Sequence, residues 1–328
     1  MSIQTSAIDF HALTPDAIIA VVEKALGKGC TNLFRPLNSY VNRVYELELA
    51  AGGTLIVKFY RPGRWSSQTI QDEHDFLLEL VDHEIPVIPP LVLANGQTLG
   101  QSGGILYAIF PKKSGRSCDE FTLDQWEEIG RLLGRVHAVG AARSPRDRPL
   151  MTPGEMTRRQ IEFLVQGGFV VPELVGRYQE VTAALLARIE PLFEGIETIR
   201  IHGDCHFANI IHRPGESFFL IDFDDMVIGP PVQDLWMLLP GYAAESGLEI
   251  ETFLEGYETF RRFERRTLGL IEPLRAMRYI HYTAWCAFQA GDGGFSRLDA
   301  DWGRHDYWQG EIRDLQDQLR QIDKLHDR

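Results

Sequence analysis

His202-Gly203-Asp204-Cys205-His206-Phe207-Ala208-Asn209 is the stretch on which the reading of this chain turns. It follows a short apolar run, Thr198-Ile199-Arg200-Ile201-His202, that reads as a strand, and it precedes a second run, 218–221, that ends at Asp222. Phosphoryl transfer asks little covalent chemistry of a protein. It needs an oriented nucleophile and cations that neutralise the phosphates. One aspartate can accept the proton of an acceptor hydroxyl, and an asparagine with a second aspartate can hold Mg²⁺ through hard oxygen ligands. Asp204, Asn209 and Asp222 supply that set. The bland reading is a loop with capping Asp and Asn residues, which are common in turns. The strand–loop–strand context favours chemistry, with Asp204 and Asp222 as catalytic residues and Asn209 and Asp222 as metal ligands.

Asp204 and Asn209 stand five positions apart, the spacing of the protein-kinase catalytic loop. Working outward, Lys58 interrupts the apolar run Leu55-Ile56-Val57-Lys58-Phe59. Such a lysine is either edge decoration or a phosphate anchor held by a glutamate of the next helix. Ile70, Glu73, Phe76, Leu77 and Leu80 share one helical stripe, whereas Asp72 and Glu79 fall off it. Glu73 is thereby expected to be buried. An isolated buried carboxylate is costly, so a partner is implied, and Lys58 is the expected one. The loop before Lys58 is Asn38-Ser39-Tyr40-Val41-Asn42-Arg43, without the glycines of a kinase phosphate-binding loop. Either Ser39 hydrogen-bonds a phosphate there or the segment is an ordinary polar turn. Asp234, in the first turn of an apolar helix after Gly229-Pro230-Pro231, is expected to accept backbone hydrogen bonds and brace the catalytic loop. His137 and His202 read as satisfied core histidines rather than proton shuttles. Asp224 and Asp225 either assist the metal or are solvated, and the basic tip Arg61, Arg64 and Trp65 is either a substrate contact or an exposed loop.

The rest of the chain supplies the frame. Thr14-Pro15 signals a helix start, Ile18, Val22, Ala25 and Leu26 keep helical spacing, and Gly27 closes it. Residues 40–49 and 54–60 read as a β-hairpin, 66–81 as a helix, and 86–93 (PVIPPLVL) and 104–110 (GILYAIF) as two more strands. Thr122 and Gln125 form a possible capping box ahead of Trp126, Ile129, Leu133 and Val136. Later helices are signalled by Ile250, Phe253, Leu254 and Tyr257, and by Trp308, Ile312, Leu315, Leu319 and Ile322. A composition shift near Phe110-Pro111-Lys112 is the best linker, so a β-rich lobe with one internal helix (1–111) and a mainly helical lobe (112–328) are expected. No repeat or low-complexity segment is found.

The 328 residues are 44% hydrophobic and carry a net charge of −13, which suits a soluble acidic protein and argues against a nucleic-acid binder. Four scattered cysteines without a CxxC pair argue for free thiols rather than zinc. No secretory signal or membrane-length apolar run is seen, so a cytoplasmic protein with no membrane insertion is expected. A monomer is the expected state.

HGDCHFANI, with IDFDD, GPPVQDLWMLL and VKFYRPGRW, resembles the bacterial stress response kinase A family, within the aminoglycoside phosphotransferase/choline kinase superfamily. PLNSYVNRVYEL, the Glu73-His74 pair, EIPVIPP and IEPLRAMR extend the resemblance over nearly the whole chain. The resemblance implies an α+β, bilobal protein-kinase-like fold with ATP between the lobes, beneath a hinge near residues 110–113. It implies transfer of the ATP γ-phosphate, with Mg²⁺, to serine or threonine of protein substrates, in survival of envelope and oxidative stress. Asp204 would be the proton acceptor, Asn209 and Asp222 the Mg²⁺ ligands, Ser39 a phosphate contact, and Lys58 with Glu73 the anchoring pair. The alternative is a small-molecule kinase acting on an aminoglycoside-, choline- or amino-alcohol-like hydroxyl, because a shared fold does not fix the acceptor. A third reading, a degenerate nucleotide-binding scaffold, is opposed by the intact Lys58, Asp204, Asn209 and Asp222.

Overall fold

Thr14 starts the first helix, α1 (Pro15–Leu26): its hydroxyl accepts from the Ala17 N–H, and Gly27, left-handed at φ 63°, ends it by donating to Glu23 O. The computed structural model describes residues 10, 13–39, 41–291 and 301–326. Ile18, Val22 and Ala25 of α1 pack on one face of an antiparallel sheet, in a core shared with Leu47, Val57, Phe59 and Ile109. The sheet contains β1 (Cys30–Leu37), β2 (Arg43–Leu49), β3 (Thr54–Phe59), β4 (Gly100–Ser102) and β5 (Ile105–Pro111), in the order β1-β2-β3-β5-β4. The hairpin of β2 and β3 is the one expected from sequence, although Tyr40 lies outside the described residues. Helix α2 (Ser67–Asp82) follows β3, capped by the Ser66 hydroxyl on the Thr69 N–H.

Residues 86–93 are not the strand that their apolar composition suggested. Pro86, Pro89 and Pro90 have no N–H to give a ladder. Instead of a ladder the segment makes scattered bonds, among them an isolated bridge of Val87 with Leu220 and a Leu91 N–H donated to Ile109 O at 2.7 Å.

Two compact units emerge. One holds the described residues up to Asp119 together with Ala142–Arg148 and Phe207–Met226. The other holds Glu120–Ala141, Pro149–His206 and the described residues from Val227 onward. The second unit opens with α3 (Leu123–Ala142), started by the reciprocal bonds of the capping box: Thr122 N–H to Gln125 Oε1 at 2.9 Å and Gln125 N–H to Thr122 Oγ1 at 3.3 Å. Helices α4 (Arg158–Gln166) and α5 (Val175–Ile189) lead to β6 (Ile199–Ile201). In the first unit, β7 (Ile210–Arg213) and β8 (Ser217–Leu220) form a hairpin. Back in the second unit, β9 (Val227–Gly229) pairs with β6 and precedes α6 (Val232–Trp236), α7 (Gly247–Tyr257), α8 (Ile271–Gly291) and α9 (His305–His326). Trp308 of α9 packs edge-to-face on Tyr178 of α5, both buried, with ring centroids 5.3 Å apart.

Helices α3 and α7 meet backbone to backbone. A Cβ at Gly130 would collide with the Phe253 carbonyl, and one at Gly256 with the Glu127 carbonyl. That approach brings the Tyr257 hydroxyl to 3.0 Å from His137 Nδ1. All four cysteines are free thiols. Among the described residues, no helix is long and apolar enough to cross a membrane.

Candidate active site

Lys58 sits in β3 opposite Val44 of β2 and Ala108 of β5, buried in the sheet. Its ammonium contacts Asp222 Oδ1 at 2.7 Å and Asp224 Oδ1 at 3.5 Å. Burial works against the charge, but Asp222, Asp224 and Glu73 outweigh it and hold the ammonium pKa far above its ordinary value. Lys58 and Asp222, read separately in the sequence, are thus joined. Asp222 is left-handed at φ 58°, ψ 65°, a conformation that costs a non-glycine residue about 1 kcal/mol or more. It stands two residues beyond the end of β8, and the preceding Ile221 N–H bonds Asn209 O at 3.0 Å, which links the backbone beside Asp222 to Asn209.

Glu73 is buried as its helical stripe implied, but its bonded partner is not Lys58. Arg148 donates to it from Nη2 at 3.1 Å. The same guanidinium bonds Thr69 O at 2.9 Å, Asp224 O at 2.6 Å and Met226 O at 3.1 Å. Burial pushes the Glu73 carboxyl up to about 7, with the charges of Lys58 and Arg148 opposing. Asp72, placed off the stripe, is buried as well, because its carboxylate accepts the N–H groups of Arg146 and Asp147.

The Asp224–Asp225 pair also resolves. Asp224 is buried, ion-paired to Arg64 and bonded by Asn42 Nδ2 at 3.1 Å, while the more open Asp225 also pairs with Arg64. Burial raises the Asp224 pKa, but Lys58, Arg64, the Asn42 bond and Arg148 bring it down to about 2. Asp225 keeps an exposed carboxylate, whereas the basic tip is anchored at its start: Arg61 is buried and donates from Nε to Val41 O at 2.9 Å, and its N–H bonds Asn42 Oδ1 at 3.1 Å. Ser39 lies in the turn between β1 and β2, partly buried.

In the second unit the loop after β6 is braced from α6. Asp234 accepts the His202 and Gly203 N–H groups, each at 2.8 Å, and His137 Nε2 lies 3.0 Å away. Gln233 Nε2 adds a bond to Gly203 O at 2.9 Å. Asp234, His137 and His202 are wholly buried, so these contacts replace water as their partners. Asp204 projects from this braced backbone. Its carboxylate meets Arg278 Nη1 of α8 at 3.0 Å and His206 Nε2 at 3.4 Å. Burial raises its pKa, but the His206 bond and the charges of Arg278, His206 and His202 outweigh this and hold it at about 2.

Sequence reading passed over Arg148 and Arg278. Arg148 sits in an arginine-rich connector, and nothing local distinguishes it from Arg143 or Arg146. Arg278 lies in the noted IEPLRAMR stretch, where helical spacing gave no sign of a carboxylate from another element.

The donors fit a nucleotide-bound cation. The Asp222 side chain is 53% exposed despite its bond to Lys58, and Asn209 adds an amide oxygen. Among the described residues no three His, Cys, Asp or Glu side chains converge as a cage. Mg²⁺ is characteristically held by one or two carboxylates plus substrate phosphates rather than by an all-protein cage.

A family model, the phosphotransferase enzyme family, matches residues 34–270. The stress response kinase A of Salmonella choleraesuis (strain SC-B67) is 40% identical over 308 residues, covering 93% of this chain and 92% of its own. A protein of Salmonella typhimurium (strain LT2), called serine/threonine protein kinase RdoA, matches at the same 40% identity and coverage. Among solved structures, the amicoumacin kinase hAmiN, in complex with AMP-PNP, Ca²⁺ and Ami, has a TM-score of 0.72 at 19% identity, over 94% of this chain and 93% of its own. That likeness carries the fold, an α+β architecture of the aminoglycoside phosphotransferase and choline kinase type. From a braced aspartate loop, a buried lysine on a second aspartate and these relatives together, it follows that the chain is a kinase and belongs to the phosphotransferase enzyme family, in its stress response kinase A branch.

Proposed function

We propose that the protein is a serine/threonine protein kinase of the bacterial stress response, moving the γ-phosphate of ATP to protein hydroxyls with Mg²⁺. The observation that carries this reading is Asp204: a mostly buried, ionised carboxylate on a loop fixed by Asp234, in a chain 40% identical to a stress response kinase A. With its pKa near 2, Asp204 is a weak base. Its task is to align the acceptor hydroxyl by accepting its hydrogen bond, and to take the proton late. A loose transition state demands no more than that. The acceptor oxygen bonds to the γ-phosphorus, the bond from that phosphorus to the β–γ bridging oxygen breaks, and ADP leaves with the electron pair.

Asn209 and Asp222 hold the cation, and Mg²⁺ when bound neutralises charge on the phosphates. Lys58 reaches the phosphates, leaving its contact with Asp222. Glu73, bonded to Arg148, contributes to the field that keeps Lys58 charged, and Ser39 donates its hydroxyl to a phosphate. Cytoplasmic location and a monomeric state belong to the same reading. Fold likeness to an amicoumacin kinase does not fix the acceptor as a small molecule.

The test is incubation with γ-labelled ATP and Mg²⁺, with and without a generic protein acceptor, beside Asp204→Ala. Label in protein, lost in the variant while ATP binding persists, is the expected result. No label in protein, with ATP still bound, overturns the protein-kinase reading in favour of a small-molecule acceptor.

A further inference from the structure

Two arginines on α8 face the same neighbourhood and are used differently. Arg275 is committed to the fold: it pairs with Glu272 Oε2 at 3.1 Å, donates to Gly241 O at 2.7 Å and lies over the Trp236 ring at 5.0 Å. Arg278, one turn on, has a side chain 41% exposed, and among the described residues its ion-pair partner is Asp204 alone. One guanidinium nitrogen, Nη1, makes that contact at 3.0 Å. A guanidinium carries five N–H donors in a planar fork, so most of its capacity is unspent in this ion pair. His206 Nε2 stands 3.4 Å from the other carboxylate oxygen. Asp204 is therefore flanked by nitrogen donors on both sides, although the chain as a whole carries a net charge of −13.

This arrangement constrains the acceptor. Any hydroxyl that hydrogen-bonds Asp204 must bring its neighbouring groups within a few ångströms of the Arg278 fork. An ammonium there would meet like charge, which selects strongly against such a partner. A carboxylate would pair with the unspent donors, a geometry for which arginine is suited. Resting on the proposed role of Asp204, we infer that Arg278 determines specificity for an acidic peptide: the serine or threonine acceptor is flanked by aspartate or glutamate side chains, and cationic acceptors are excluded.

The test uses the full chain with Mg²⁺ and a non-hydrolysable ATP analogue. Short fluorescent serine peptides, identical except for glutamate, alanine or lysine at the flanking positions, are titrated by anisotropy, and each is then assayed for phosphorylation with ATP. The glutamate-flanked peptide is expected to bind about tenfold more tightly than the lysine-flanked one. Arg278→Glu should invert that order, Arg278→Ala should flatten it and Arg278→Lys should preserve it. Because the side chain is part-exposed, the alanine and lysine variants keep the comparison available should the glutamate variant fold poorly. An order unchanged by Arg278→Glu or Arg278→Ala, or a wild type that prefers lysine-flanked peptide, overturns the inference. Charge-dependent binding without phosphorylation would sink the protein-kinase reading, and with it the peptide as acceptor, while leaving Arg278 as the selector of an acidic ligand. Phosphorylation indifferent to flanking charge would do the reverse.

Discussion

Arg148→Met removes a guanidinium whose side chain is wholly buried and leaves Glu73, itself 1% exposed, without its bonded partner. Three backbone carbonyls, Thr69 O, Asp224 O and Met226 O, lose a donor at the same time. Breaking a buried ion pair from one side costs about 3–5 kcal/mol, because the charge left behind is uncompensated. The cost should depend on pH in a definite direction. In the folded protein burial pushes the Glu73 carboxyl up to about 7, above its unfolded value of about 4.3. Its contribution to stability is thus fully present below about pH 4 and is lost as pH rises through about 7. Without Arg148 the folded pKa rises further. At about pH 8 the variant must either bury a carboxylate that has no bonded cation and only the Lys58 charge nearby, or protonate it, whereas at about pH 5.5 both proteins carry a neutral Glu73 and differ mainly in hydrogen bonds. Urea unfolding at the two pH values reads this: a loss of about 3–5 kcal/mol at the higher and about half that at the lower. Adding Glu73→Gln should recover about 2 kcal/mol of the loss at the higher pH, a non-additivity expected of bonded neighbours. A loss below about 1 kcal/mol at the higher pH, equal losses at both, or strict additivity would refute the reasoning.

Two further outcomes follow from geometry. Asp234→Ala strips acceptors from the His202 and Gly203 N–H groups and should cost about 3 kcal/mol in thermal or urea stability with a fall in turnover, while Asp234→Asn, which keeps one acceptor oxygen, should lose less of both. Asp222→Gly relaxes a left-handed residue, so the folded state should stay within about 1 kcal/mol of wild type by calorimetry while Mg²⁺–nucleotide binding is abolished; a variant that unfolds, or one that still binds Mg²⁺–ATP, would count against the assigned role.

What could be read from the sequence was whatever local chemistry dictates. The Thr14 cap with Pro15 and the Thr122–Gln125 box set their helix starts by bonds within a few residues, and all three bonds are present. Asp234 as a backbone acceptor was legible because an aspartate in a first turn has few other uses. Strand β1 was not legible: it carries Thr31, Asn32, Arg35 and Pro36, half of it facing water at a sheet edge, so it shows no period-two pattern. Residues 86–93 misled in the opposite sense, with apolar side chains on a proline-rich backbone that cannot form a ladder. The Glu73 stripe correctly implied burial and a cationic partner, yet the partner lies 75 positions away in a connector, where no spacing rule reaches. Arg278 escaped for the same reason, since its meaning comes from a carboxylate on another element.

The meeting of α3 and α7 has a consequence for how this enzyme tolerates change. In an exposed helix interior, alanine in place of glycine gains about 1 kcal/mol. At Gly130 and Gly256 the added methyl would wedge apart two backbones already in contact, and with them the Tyr257–His137–Asp234 chain beneath the loop that carries Asp204. A library selected for activity should therefore reject there the one substitution that generic helix engineering recommends. Its map of permitted residues would mark two positions that possess no side chain as sharply as the aspartates, although neither contributes an atom to the chemistry.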